Sequence, residues 1–289
     1  MAADVTVIIA TRNRWQQLQR SLPEHERPVI LLDNGSTDGS PDLVRRNFPD
    51  VTVIELGGNR GACARNIGVA RATTRYVAFA DDDSWWAAGA LDGAARILDA
   101  HPRLALLAGR ILVGETERLD PTCLEMAESP LGTDPDLPGP SVLGFLACGA
   151  VLRRDAFLAV GGFDEVVFFF GEEERVALDL AASGWGLAYV DTVVAHHHPP
   201  AGADRSGRAA LATRNRVLTA VLRRPWPVVA TVVRTEANRG LSGRRSSSGR
   251  RNSSGLRGIA AAIPRLPAAL RQRQVLPPAI EASRRLLDS

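Results

Sequence analysis

The 289-residue chain contains no lysine, and all 35 of its basic residues are arginine, a bias of composition rather than of chemistry. Cysteine is scarce: Cys63, Cys123 and Cys148 lie far apart, are odd in number and form no CxxC pair. That excludes a disulfide scaffold and fits a reduced, intracellular setting. No basic segment followed by an apolar run opens the chain, so nothing reads as a signal peptide. No apolar stretch reaches the roughly 17–25 residues of a spanning helix, because the longest one in the tail, residues 217–233, is broken by Arg223, Arg224, Pro225 and Pro227. No GxGxxG follows the first apolar run at residues 5–10, which disfavours an NAD-binding Rossmann enzyme. No internal repeat is found.

What is present suits a globular protein with a sizeable core: 45% hydrophobic and 23% charged residues. The formal net charge of +3 hides a split. Residues 1–204 carry 17 Arg against 29 Asp and Glu, whereas residues 205–289 carry 18 Arg against 3 acids, so a body of −12 precedes a tail of +15.

Over residues 1–100 the pattern alternates strand and helix. Apolar runs at 5–10, 28–32, 51–56 and 76–80 are separated by helical stretches at 15–22 and 62–72, which predicts a mostly parallel sheet with helices on both faces. In such sheets ligands sit beyond the carboxyl ends of the strands, where Thr11, Asp33 and Asp81 fall. Beyond them come a helix at 87–100, a strand at 104–113, and a proline-rich stretch at 120–140 that reads as a long covering loop. Strand character returns at 142–152, a Gly161-Gly162 turn precedes a helix around 172–183, and a last strand ends in His196, His197 and His198. The body divides into halves of about 1–100 and 101–204. The tail reads as a helix at 208–224, a flexible Ser/Gly/Arg linker at 240–258, and amphipathic stretches around 259–273 and 278–287.

Chemistry concentrates in a few places. Asp81, Asp82 and Asp83 end an apolar strand; residues i and i+2 share a strand face, so Asp81 and Asp83 point together at one ligand and Asp82 turns away. A divalent cation bridging to a diphosphate resolves the repulsion of two such carboxylates. Taken alone, the triplet is more often a solvated acidic turn capping the next helix. Asp33 and Asn34 are suited to hydrogen-bond a nucleobase and ribose, and equally to form a turn. Arg60 and Arg65 lie near the start of a helix whose N-terminus favours a diphosphate.

The segments VTVIIATRNR (5–14), LLDNGSTDGS (31–40), GGNRGACARNIGVARA (57–72) and YVAFADDD (76–83), with GGFDE (161–165) and GEEE (171–174), resemble the successive signatures of family 2 glycosyltransferases over about residues 4–200. The resemblance implies an α/β protein of the GT-A fold and an inverting enzyme that moves a sugar from a UDP, dTDP or GDP donor to a hydroxyl acceptor, with Mn²⁺ or Mg²⁺ as cofactor. It assigns Thr11, Arg12, Asp33 and Asn34 to the nucleotide, Asp81 and Asp82 to the nucleotide sugar, and Asp83 with Asp81 to the metal. It also implies one further metal ligand from the histidine run, with His196 favoured and His198 on the same strand face. Glu173 falls where the family's general base is normally Asp, and Glu172 stays a candidate. Arg175 stands where an acid is common. Cys148 and Gly149 would border the acceptor.

The rival readings are a sugar nucleotidyltransferase, which would carry a glycine-rich phosphate loop where ATRNR stands at 10–14, and a catalytically silent scaffold that docks through its tail. The tail's charge and apolar side (Leu256, Ile259, Ile263, Leu266, Leu270) suit an anionic membrane surface at the cytoplasmic face, and the family resemblance implies a lipid-linked or envelope acceptor. Packing of the tail onto the acidic body is the alternative. Nucleic acid is not expected, because Trp226 is the tail's single aromatic.

Overall fold

The computed structural model describes residues 4–26, 28–200, 207–241 and 254–288. Strand β1 (Val5–Thr11), helix α1 (Trp15–Ser21), β2 (Val29–Asp33), β3 (Thr52–Glu55), α3 (Ala64–Arg71) and β4 (Tyr76–Ala80) follow the expected bounds within two residues, with a further helix α2 (Ser40–Asn47) between β2 and β3. β1, β2 and β4 are continuous runs of mostly β-branched or small apolar residues, almost wholly buried, as strands covered on both faces require. Then come β5 (Ser84–Trp86), α4 (Ala90–Ala100), β6 (Leu104–Val113), β7 (Arg118–Leu119), α5 (Pro121–Ala127), β8 (Ala150–Arg153), α6 (Arg154–Ala159), α7 (Glu173–Ala182) and β9 (Gly186–His197). The C-terminal segment forms α8 (Arg208–Arg223), α9 (Trp226–Leu241), α10 (Ser254–Ala262), α11 (Leu266–Arg271) and α12 (Pro278–Leu286).

The nine-stranded sheet runs β3-β2-β1-β4-β8-β6-β9-β5, with β7 paired to β6. β3, β2, β1 and β4 pair in parallel, as do β6 and β9, while β8, β5 and β7 enter antiparallel. The carboxyl ends of β1, β2 and β4 therefore lie at one edge, at Thr11, Asp33 and Ala80. β9 returns to that edge through its antiparallel pairing with β5, which sets Ser84 opposite His197.

Several expected elements differ. The stretch 120–140 contains α5, begun where the Asp120 carboxylate accepts from Thr122 N at 2.9 Å. Of the strand expected at 142–152 only β8 forms, preceded by a 3₁₀ turn at Ala147–Gly149 that holds Cys148 and Gly149. A Cβ on Gly149 would come within 2.6 Å of Ile111 Cδ1, so the bare backbone fits against β6 there. The linker expected at 240–258 is shorter than read: its ends belong to α9 and α10, and residues 242–253 lie outside the described ones.

The tail is packed on the body. Val217, Leu218, Leu222, Val229, Ala262 and Ala269 close a second core around Val166 and Val167, which belong to the body. Arg223 pairs with Asp179 on α7, and Arg284 with Glu174 at 2.8 Å.

Candidate active site

One large cleft of about 1240 Å³ opens at the carboxyl edge of the sheet. Thr11, Arg12, Asn34, Arg65, Asp81, Asp82, Asp83, Cys148, Glu172, Glu173 and His197 line it, with Met126 from the expected covering stretch, Phe169 ahead of the glutamates, and Arg208, Arg284, Leu286 and Leu287 from C-terminal helices that the sequence had not linked to a site.

Asp81, Asp82 and Asp83 follow β4 as a turn rather than a strand continuation. Ligand atoms of Asp81, Asp83 and His197 nevertheless lie within 4.8 Å of one another. The expectation for His196 and His198 is reversed. His196 stacks on Trp85 and His198 lies tilted against it, with ring centroids 5.5 and 4.6 Å away, and His196 Nδ1 lies 3.3 Å from Glu117, whereas His197 Nε2 lies 3.3 Å from Asp83 Oδ1. The strand alternation was read correctly and the face was not: Trp85 opposes His196 in the β5–β9 ladder, which commits 196 and 198 to Trp85's side. Burial works against a proton on His197, but Asp83 and Asp81 outweigh it and raise its proton affinity.

Asp82 is committed locally: it accepts from Thr11 Oγ1 at 3.0 Å and Arg14 Nε at 3.2 Å, while Ser21 Oγ donates to its carbonyl. Burial, with Asp83 and Asp81 beside it, pushes its carboxyl up to about 7 against the pull of Arg14 and Thr11. Arg14, which the sequence did not single out, also reaches Asp83 at 3.5 Å. Asp33 does not line the cleft. Its carboxylate is consumed by Gly35 N, Ser36 N and Ser36 Oγ, the turn-forming alternative. Asn34 ties its loop to Arg60 N and Gly61 O. Arg60 itself is exposed and outside the cleft, while Arg65 is buried and paired with Asp81 at 2.6 Å.

Glu172 and Glu173 open α7 beneath Phe168, Phe169 and Phe170. Glu172 is 3% exposed, and its Oε2 has no partner. Burial and the neighbouring Glu173 push Glu172 up to about 8, with Arg65 opposing. Glu173 is raised as well, chiefly by burial, and a hydrogen bond from the Ala147 backbone amide favours its anion. Arg175 turns away from the cleft to Asp179 at 2.7 Å and to the Gly162 carbonyl. Ahead of the glutamates, Phe168 (φ 74°) and Phe170 (φ 73°) are left-handed, each at a cost of about 1–3 kcal/mol. Gly61 permits this path: a Cβ there would stand 2.5 Å from the Phe168 carbonyl oxygen.

Two carboxylates and one imbedded imidazole form a hard, mostly oxygen donor set that fits Mn²⁺ or Mg²⁺. No described helix is long and apolar enough to cross a membrane.

The model of glycosyl transferase family 2 matches residues 6–161. The chain is 27% identical over 249 residues to an N-acetylglucosaminyl-diphospho-decaprenol L-rhamnosyltransferase of Mycobacterium tuberculosis, covering 73% of this chain and 81% of that one. It is 35% identical over 208 residues to the pre-mycofactocin glycosyltransferase of the same organism, 68% of this chain but 43% of that one. Among solved structures, the mannosyltransferase PcManGT from Pyrobaculum calidifontis in complex with GDP-Man and Mn²⁺ superposes with a TM-score of 0.58 at 22% identity, covering 100% of this chain and 88% of its own. TarS 1–349 of S. aureus in complex with UDP-GlcNAc gives 0.59 at 16%, covering 99% and 92%. These likenesses place the fold in the GT-A class.

Proposed function

The chain belongs to glycosyl transferase family 2, and on that premise we propose that it is an inverting, metal-dependent enzyme that moves a sugar from a nucleoside diphosphate to a hydroxyl acceptor in cell-envelope glycan synthesis. The observation that carries this is the sharing of one cleft by Asp81, Asp83 and His197 with Glu172 and Glu173 at the start of α7. Asp81, Asp83 and His197 would hold Mn²⁺ or Mg²⁺, which neutralises charge on the departing diphosphate when bound. Asp83 and Asp81 raise the proton affinity of His197, and ligation requires its imidazole to be neutral.

Glu173 is the base in this reading. The two glutamates repel one another, so the pair retains one proton as pH rises. Glu172, whose Oε2 is unpartnered, keeps it, and the Ala147 amide stabilises the anion on Glu173. The acceptor oxygen forms its bond to the anomeric carbon while the bond from that carbon to the diphosphate oxygen breaks with its electron pair. The acceptor proton passes to Glu173. Arg12 and Arg14 stand at the nucleotide end, and Arg65 sets Asp81. The donor is of UDP, dTDP or GDP type, and the rhamnosyltransferase relative supports a lipid-linked acceptor. Screening nucleoside diphosphates for thermal stabilisation with Mn²⁺ or with chelator tests the reading, since a ligand stabilises the state it binds.

One observation favours peripheral contact with an anionic membrane at the cytoplasmic face. Along 254–271, Ile259, Ala262, Leu266 and Ala269 pack inward, whereas Leu256, Ile263 and Leu270, seven residues apart, are exposed beside the exposed Arg257 and Arg271. Co-sedimentation with anionic vesicles should fall in an Ile263→Glu, Leu270→Glu double variant; unchanged sedimentation would remove the proposal.

A further inference from the structure

Six successive backbone carbonyls precede the glutamates of α7, and each one accepts a hydrogen bond. Arg265 Nη1 donates to Glu165 O at 2.9 Å and Val166 O at 2.8 Å, and its guanidinium lies over the Phe168 ring. Arg214 Nη2 donates to Val167 O at 2.9 Å. Ala62 N donates to Phe168 O at 2.8 Å. Asn215 Nδ2 donates to both Phe169 O and Phe170 O at 2.6 Å. Arg214 Nε in turn donates to Asn215 Oδ1 at 2.7 Å, which fixes which way the amide faces.

Five of these six bonds come from the C-terminal helical segment, and Asn215 is 1% exposed. The segment they hold is strained, with two left-handed phenylalanines, and such a path persists only where its surroundings over-determine it. Glu172 and Glu173 follow within three residues. Nothing else in the described C-terminal helices grips the body's backbone so densely just ahead of site residues.

We propose that Asn215, oriented by Arg214, is a positioning residue for the Glu172–Glu173 pair: by clamping the carbonyls of Phe169 and Phe170 it sets where the base enters the cleft, so that α8 is part of the catalytic unit. The proposal rests on the glycosyltransferase reading above and concerns geometry, which a misplacement of about 1 Å can turn into a 10²-fold loss of rate.

Asn215→Asp keeps the size and removes both donors. At a temperature well below its melting point, kcat should fall by about 10²-fold while Mn²⁺-assisted nucleoside diphosphate affinity stays within about twofold of the parent. Thr213→Val is the comparison. It lies on the same helix and loses only the 2.7 Å bond to Glu236 inside the segment, so it should lower the melting temperature without lowering kcat. Arg265→Gln, at the outer end of the carbonyl row, decides the matter if Asn215→Asp does not fold: a selective fall in kcat supports the clamp, and parental kcat overturns it. Parental kcat in a folded Asn215→Asp, or equal losses in it and Thr213→Val, overturns it as well. If Glu173→Gln and Glu172→Gln both keep full turnover, it is the functional reading that fails; if Glu173→Gln is crippled and Asn215→Asp is not, only the clamp does.

Discussion

Each charged residue of the cleft is defined by what surrounds it. Glu173→Gln preserves shape and removes the proton acceptor, so kcat should drop by roughly 10² to 10⁴ with nucleotide affinity nearly unchanged. If Glu172→Gln is the crippled variant instead, the base is one residue earlier. Glu172 also carries a stability signature. Its folded-state proton affinity is raised, to about 8, so its contribution to stability is present below the ordinary carboxylate range and is lost as pH rises toward 8. Glu172→Gln should therefore raise the melting temperature at pH 8 more than at pH 5. An equal shift at both would mean that the carboxyl is ionised throughout.

At the scale of elements, the loop at 164–171 depends on a close approach from 61–62. Gly61→Ala (native φ 56°) would set a methyl against the Phe168 carbonyl, so kcat and melting temperature should both fall; parental values for both would show that the loop tolerates displacement. This is also where the reach of the sequence ended. β1, β2 and β4 were legible because a doubly covered parallel strand must be apolar throughout. β5, three residues long, gives no periodicity to read, the strand read at 142–152 shortens to β8, and α5 hides among prolines that suggest a loop. Without β5 the pairing that turns His197 toward Asp83 could not be foreseen, and so strand alternation alone put His196 and His198 in its place. Asp81 and Asp83 do lie together, though in a turn rather than along a strand. Asn215 carried no signal, because a buried asparagine in an arginine-rich helix looks like solvated surface until its partners are known.

For the whole molecule, part of the charge split serves packing. Arg223, Arg284 and Arg265 of the basic segment bind Asp179, Glu174 and the 165–166 carbonyls of the body, and Val166 and Val167 are buried by α8. Each large apolar side chain so buried contributes roughly 1.5–3 kcal/mol. A chain ending at residue 205 should therefore aggregate or melt well below the full-length protein; an equally stable truncated chain would show that the segment is an appendage.

Calorimetric titration of the full-length protein with UDP, dTDP and GDP, with Mn²⁺ and again with chelator, tests most directly whether the Asp81, Asp83 and His197 cluster serves a nucleoside diphosphate. At least one nucleotide should bind in Mn²⁺ and lose more than about 10-fold in affinity both on chelation and in Asp83→Ala, with that variant still folded. Binding of equal strength in chelator and in Asp83→Ala, or no binding by any of the three, would contradict it.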